Sequence, residues 1–324
     1  MKRFTRRDWL KLSSAGVLGA TVGLPGVTAV EPGSAAVAPV LTNSVIYRFR
    51  VGEFEAVSLL AGFMDTKPKR PPQADEASYQ AALAGIGNPA KLRYPYNVLL
   101  LRRGAERILI DAGPPKTEGK PFHLLTSLAQ LGVAPRDITH VFLTHAHFDH
   151  MGGLLDRQGK PVFGHAEHFC FAEEKAFWTA DKPDFSKLNL NPGTMHADAR
   201  RIFSSIQFTL VDGSTRLPEG ITPILSPGHT PGQMTLRLES KGEVLHHVSD
   251  LTHHAMLWLP HPEWSLASDI TPEVAIKTRM AAWAELAKAG TRVFGFHLPF
   301  PGLGKIGVAD NLYRWVPEDW QPVL

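Results

Sequence analysis

The sequence predicts an α/β chain of the α+β type, with sheets covered by helices in one layered domain. Two observations carry that expectation. Strand-like runs crowd together over IQFTLVDG, ITPILSPG, MTLRLES and EVLHHVSD. Helical stretches separate only some of the other strands, unlike the regular alternation of a plain doubly wound sheet. No internal repeat of fixed period stands out. The 324 residues are 44% hydrophobic and 20% charged, a soluble globular composition with ample material for a core.

SVIYRFRVGEFEAVSLL holds two alternating apolar runs around a glycine and predicts a hairpin. Residues 65–95 are rich in Pro and charge, with a short helical pattern in ASYQAALAGI, and read as a long surface excursion that serves a site. NVLLLRRGAERILIDAG is the next strand pair. LLTSLAQLGV has helical spacing, and Gly132 can end it. ITHVFLTH is a buried strand, and KPVFGHAEH a short strand and turn. Residues 168–205 read as mostly helical, with a Pro and Asn break at 190–192. After the crowded strands, PEVAIKTRMAAWAELAKAG is an amphipathic helix capped by Thr271 with Pro272 at its first position. TRVFGFH is a final strand.

The first 29 residues carry Lys2, Arg3, Arg6, Arg7 and Lys11 against Asp8, so without them the chain's +3 becomes about −1. A mature chain near neutrality offers no electrostatic case for binding nucleic acid. The basic run TRRDWLK, the weakly apolar LSSAGVLGATVGLPGVTA and the small-residue exit at Val27–Ala29 resemble a twin-arginine export signal. The apolar stretch is too short and mild for a stable membrane span. The expected organisation is a signal peptide over 1–29, a linker over 30–44 and one domain over 45–324, with a periplasmic or secreted destination. Cys170 is the only cysteine, which excludes an internal disulfide and suits a core position.

Within VFLTHAHFDHMGG, a strand-like run gives way to three histidines and an aspartate in six positions. Each would cost free energy if buried unpaired, so a structural explanation is poor. Residues two apart in extended chain share a side, so His145 and His147 can grip one ion. Asp149 and His150 follow the turn and can face a second. Gly152 and Gly153 let the backbone bend tightly afterwards. Imidazole with carboxylate suits zinc, iron or manganese. His229, Asp250 and His297 are ligand types that also end strands.

HAHFDH, the His in PGHTPG, the Asp in VSD and the His in FGFH together resemble the metallo-β-lactamase superfamily. Asp111 in ILIDAG is similar to that family's first motif. The resemblance implies a four-layer αβ/βα sandwich with two divalent ions, zinc before iron or manganese. It places His145, His147 and His229 on one ion and Asp149, His150 and His297 on the other, with Asp250 bridging. Asp111 would orient a ligand from behind. True zinc β-lactamases generally lack a bridging Asp, which makes that activity the alternative. The tail after His297, VGEFEAVSLL and AFWTADK are similar to methyl parathion hydrolase and its relatives. The lactonases of the superfamily place a tyrosine near the substrate carbonyl, and no Tyr occurs between Tyr96 and Tyr313.

The expected function is therefore hydrolysis of a neutral, apolar ester, whether phosphotriester, lactone or aryl ester, by a hydroxide that two ions share. Asp250 would bridge the ions and take a proton, and His253 would donate one to a poor leaving group. Asp149 serves in the same centre. Phe148, Trp178 and Trp258, with Phe177 and Trp264 as further candidates, would line the substrate pocket. The expected partners are a small ester and the twin-arginine export machinery, with a homodimer left open. A non-catalytic metal-binding protein of this fold is the competing class.

Overall fold

Around Gly52 the chain turns in the left-handed region, with φ of 54°, and a side chain there would strike the Ser240 carbonyl. This turn joins β1 (Ile46–Val51) to β2 (Phe54–Thr66) as the expected antiparallel hairpin. The computed structural model describes residues 45–87, 90–115 and 124–321. The expected signal peptide and linker lie outside the described residues.

Two sheets organise these residues. The first holds seven strands in chain order: β1, β2, β3 (Leu92–Arg103), β4 (Glu106–Ile110), β5 (His140–Phe142), β6 (Glu167–Phe171) and β7 (Phe208–Val211). It is antiparallel through β4 and parallel from β4 to β7. The second holds six, in the order β13 (Leu312–Pro317), β12 (Leu303–Ala309), β11 (Arg292–Phe294), β10 (Glu243–His247), β9 (Met234–Ser240) and β8 (Ile221–Leu225).

Strand alternation sends one set of side chains between the sheets. Phe49, Leu99, Ile108, Phe142 and Phe169 of the first sheet meet Leu236, Leu245 and Phe294 of the second in one buried cluster. The outer face of the first sheet packs against α2 (Leu124–Gln130) and α5 (Met195–Ser205) through Leu128, Val141, Ile202 and Phe203. The outer face of the second packs against α6 (Pro272–Ala289), where Trp283 and Leu286 meet Val293 and Ile306. Helix, sheet, sheet and helix are the four layers of an αβ/βα sandwich.

α6 buries Ala275, Arg279, Trp283 and Leu286, the stripe that helical periodicity demands. Pro272 begins it, and Gly290 ends it at φ of 60°. Thr271 holds the N-cap position, but its side chain makes no capping bond. No helix among the described residues is long and apolar enough to cross a membrane.

Several expectations shift. The surface excursion is shorter than 65–95, because β2 and β3 pair as far as Thr66 and Leu92. It does carry the expected helix, α1 (Glu76–Ala84), capped by Asp75. Residues 168–171, expected helical, continue β6, where parallel neighbours on both sides make a buried apolar strand that lacks a helical stripe. Helix α4 (Ala172–Thr179) starts only afterwards. The β12–β13 hairpin was not anticipated. Its turn, Asp310-Asn311, has φ of 52° and 59°, a two-residue connection that Asp and Asn tolerate.

Candidate metal centre

Every expected ligand leaves the carboxyl end of a strand. His145 and His147 follow β5, and Asp149 and His150 lie on the single turn α3 (Phe148–Met151). His229 follows β8, Asp250 follows β10 and His297 follows β11. The two sheets thus bring distant parts of the chain to one edge. His145, His147, His229 and Asp250 present ligand atoms within 4.8 Å of one another, and Asp149, His150 and His297 do the same. All seven side chains are buried.

Asp250 sits between the groups. Its Oδ1 lies 3.1 Å from His150 Nε2. Its Oδ2 lies 3.1 Å from His297 Nε2, 3.3 Å from His229 Nε2 and 3.7 Å from His145 Nε2. His147 Nδ1 faces both His145 Nε2 at 3.1 Å and His229 Nε2 at 3.0 Å. Three ring nitrogens thus converge within hydrogen-bond distance, a donor arrangement that one cation can take. His150 Nε2 and Asp250 Oδ1, although 3.1 Å apart, are buried and form no hydrogen bond. A divalent cation in each group would accept those lone pairs, and imidazole with carboxylate is the donor set that such ions take. The residues fit the metals.

The rings are aimed from behind. Asp111 Oδ2 accepts from His150 Nδ1 at 2.8 Å, while Thr144 donates its N–H and its hydroxyl to the same carboxylate. Asp111 adopts φ of 64°, a conformation costly for a non-glycine residue, so the fold strains its backbone where the carboxylate is needed. Asp269 Oδ1 accepts from His229 Nδ1 at 2.9 Å. The Pro95 carbonyl accepts from His297 Nδ1 at 3.0 Å. Each contact leaves Nε2 pointing into the centre.

Electrostatics agree. Burial opposes charge on His150, yet Asp250, Asp111 and Asp149 outweigh it and hold that imidazole well above its usual range. Burial likewise opposes charge on His229, which Asp250 and Asp269 lift to about 9. Burial, reinforced by neighbouring histidines, pushes His145 and His147 well down. The carboxylates create a demand for positive charge inside the cluster.

Gly152 and Gly153 are required by close approach rather than by a special turn. A side-chain carbon at Gly153 would lie 2.1 Å from the Ala112 carbonyl oxygen, and one at Gly152 would strike Pro115. The ligand turn is therefore pressed against the segment that follows Asp111.

A cleft of about 410 Å³ opens over the ligands. Met64, Leu190, Met195 and Leu266 give it apolar walls, and Lys67 and Lys69 stand on its lining. Phe148 and Trp258 line it as expected from sequence. Trp178 is a correction. It is fully buried behind the centre, where its edge packs on His147 at 5.9 Å and its indole N–H is bound by Glu174. Phe177 packs with it in the core, and Trp264 stacks on His261. His253 lines the cleft with its Nε2 3.0 Å from Asp250 Oδ2. Burial pulls its imidazole down to about 4, so the neutral ring has one N–H, and Asp250 engages it.

Sequence reading missed two residues at the site. Asp269 stands forty positions from the histidine that it holds, outside any motif. Tyr94 lines the cleft from β3, its ring 5.5 Å from His253 and 5.9 Å from His297. Tyr94 precedes the metal motifs, outside the tyrosine-free interval between Tyr96 and Tyr313. In sequence it stands in LRYPYNV, beside Arg93 and two positions before a second phenol, Tyr96, so nothing there singles it out.

With this geometry in place, the likeness to known proteins can be read. Residues 93–293, more than half of the chain, match the family model of the metallo-beta-lactamase superfamily. The chain belongs to the metallo-beta-lactamase superfamily. Its relatives there include the probable metallo-hydrolase YflN of Bacillus subtilis (strain 168), 29% identical over 175 residues, 52% of this chain and 64% of that protein. An N-acyl homoserine lactonase of Bacillus cereus is 20% identical over 118 residues, 36% of this chain and 40% of that one. The chain thus spans less than two thirds of the length of these relatives. Among solved structures, AidC, described as a dizinc quorum-quenching lactonase, is 29% identical with a TM-score of 0.77, covering 85% of this chain and 98% of that one. Hydrolase AbOPH of the beta lactamase superfamily is 25% identical with a TM-score of 0.75, covering 87% and 100%. The chain's two buried ligand groups could hold divalent metal ions.

Proposed function

We propose that this chain hydrolyses a neutral, largely apolar ester at a centre of two divalent ions, with zinc as the metal and a lactone as the leading substrate class. The observation that carries the reading is the juxtaposition of two buried ligand groups, joined by Asp250, at the floor of a cleft with apolar walls. The likeness to AidC, described as bound to a product N-hexanoyl-L-homoserine, supports the lactone. Two ions when bound would supply an activated water and polarise the scissile oxygen.

The chain's own residues do the rest. His145, His147 and His229 would hold one ion and Asp149, His150 and His297 the other. Asp111 and Asp269 fix the rings that face them, so the centre needs little reorganisation. Asp250 is positioned to receive a proton as the water attacks. Phe148 and Trp258 offer flat apolar surface to an acyl or aryl group, and Met64 and Met195 adapt to its shape. The Tyr94 ring stands over His253 and His297 and narrows the cleft beside the ions.

We also propose export by the twin-arginine route to the periplasm or beyond, supported by the sequence of residues 1–29 alone. A substrate panel tests the catalytic reading. Acyl lactones, aryl acetates, phosphotriesters and the β-lactam nitrocefin are offered to the zinc-loaded protein. Lactones should give the highest kcat/KM. Dominant phosphotriester or β-lactam turnover would replace the substrate class, and no turnover by protein carrying two ions would overturn the hydrolase mechanism.

A further inference from the structure

Behind the group formed by His145, His147 and His229 lies a carboxylate that neither binds there nor touches a ligand ring. Glu174, on the first turn of α4, is fully buried. Its Oε1 accepts from the Ala146 N–H at 2.7 Å and from the Trp178 indole N–H at 2.7 Å. Its Oε2 accepts from the Thr230 hydroxyl at 2.6 Å and from the Gly232 N–H at 3.0 Å.

The partners are what give this arrangement meaning. Ala146 lies between His145 and His147, on the loop that leaves the first sheet. Thr230 and Gly232 lie one and three residues after His229 on the loop that leaves β8 of the second sheet. Trp178 packs on the ring of His147. One carboxylate therefore ties together every element that carries a ligand of the first group. The fit is tight, since a side-chain carbon on Gly232 would lie 2.1 Å from the Glu174 backbone nitrogen. No bond of Glu174 reaches a residue of the group formed by Asp149, His150 and His297.

We infer that Glu174 is a positioning residue for the first metal pocket, acting through the two ligand loops and selectively for that pocket. The inference rests on the two-ion reading. It predicts a consequence of chemistry, not of shape. Glu174→Gln keeps the volume but turns one oxygen into an NH₂ donor. Placed toward Oε1's partners, the amide meets two N–H donors. Placed toward Oε2's, it meets the Gly232 N–H, which cannot accept, although the Thr230 hydroxyl can turn. Either way one ligand loop must retreat.

The test uses cobalt(II) as the probe metal, titrated against a competing chelator, with visible absorption to report each pocket. Wild-type protein should bind two ions. Glu174→Gln should bind one ion as wild type does, with the affinity of the other lowered about 10- to 100-fold and its absorption band changed. Thr230→Val, which removes one donor and leaves the carboxylate, should lower the same affinity by a smaller factor, and it serves as the probe if Glu174→Gln does not fold. Unchanged affinity in both pockets of a folded variant, or equal losses in both, would overturn the selective role. Fewer than two ions on the wild type would instead count against the two-ion reading itself.

Discussion

Replacing Asp269 by Asn removes one charge and no volume, and the structure says what must follow. Asp269 Oδ1 accepts from His229 Nδ1, while Oδ2 accepts from the Leu266 N–H at 2.8 Å and from Arg279 Nη2 at 3.1 Å. Asn has one acceptor. If its oxygen stays with Leu266 and Arg279, its NH₂ faces His229 Nδ1. That nitrogen must then accept, so the ring proton moves to Nε2, the atom that should offer a lone pair to metal. If the amide is reversed, NH₂ faces a guanidinium and a backbone N–H. The first outcome costs about 10- to 100-fold in affinity at the first pocket, or roughly 1.4–2.7 kcal/mol. Either orientation also leaves the buried Arg279 without its counter-ion, a loss on the scale of about 3–5 kcal/mol. Carbonyls of Leu251, Pro262 and Trp264 still accept from Arg279, which places the expected stability loss at the lower end. Chelator competition and urea unfolding, run on the same preparation, measure both. A variant with wild-type metal affinity and wild-type stability would refute the argument that Asp269 sets the His229 tautomer and neutralises Arg279.

Other outcomes follow from the same geometry. Asp250→Asn should lower metal content and cut turnover by at least about 100-fold, because both ligand groups lose their shared charge, as metal analysis and steady-state kinetics will report. His253→Ala should slow lactones or alkyl esters by roughly 100-fold while leaving nitrophenyl esters nearly unaffected if the ring donates a proton, and equal losses on both would mark it as Asp250's orienting partner. Burial holds His168 near 4 in the folded chain against 6.5 when unfolded. The unfolded state therefore binds the extra proton, and stability present above about pH 6.5 is lost as pH falls toward 4, by about 3 kcal/mol. Urea midpoints at the two ends of that window should converge in His168→Leu relative to wild type. Arg6→Lys with Arg7→Lys should strand the precursor in the cytoplasm, and unchanged appearance of the mature form in the envelope would refute twin-arginine routing.

The seven candidate ligands could be read from sequence because four of them share a short local pattern, and the others each end a strand. Chemistry that expensive has few structural explanations. Asp269, Glu174 and Tyr94 carry no such signal. Each comes to the centre or to the loops behind it only because the two sheets meet there, and a carboxylate or phenol in a helix, loop or strand reads as ordinary. The tryptophans show the same limit. Trp178 and Trp258 have similar surroundings in sequence, yet one is walled in behind His147 and the other faces the cleft. Among the strands, β6 was obscured because burial on both sides removes alternation, leaving an apolar run that merges with the helix after it. The β12–β13 hairpin is signalled in sequence only by its Asp-Asn turn.

The central claim is that this fold assembles two metal pockets that share Asp250. Protein purified without chelator and analysed for metals against protein concentration tests it directly. The account predicts close to two divalent ions per chain, with activity falling as they are removed and returning when they are restored. One ion per chain with full activity would contradict it.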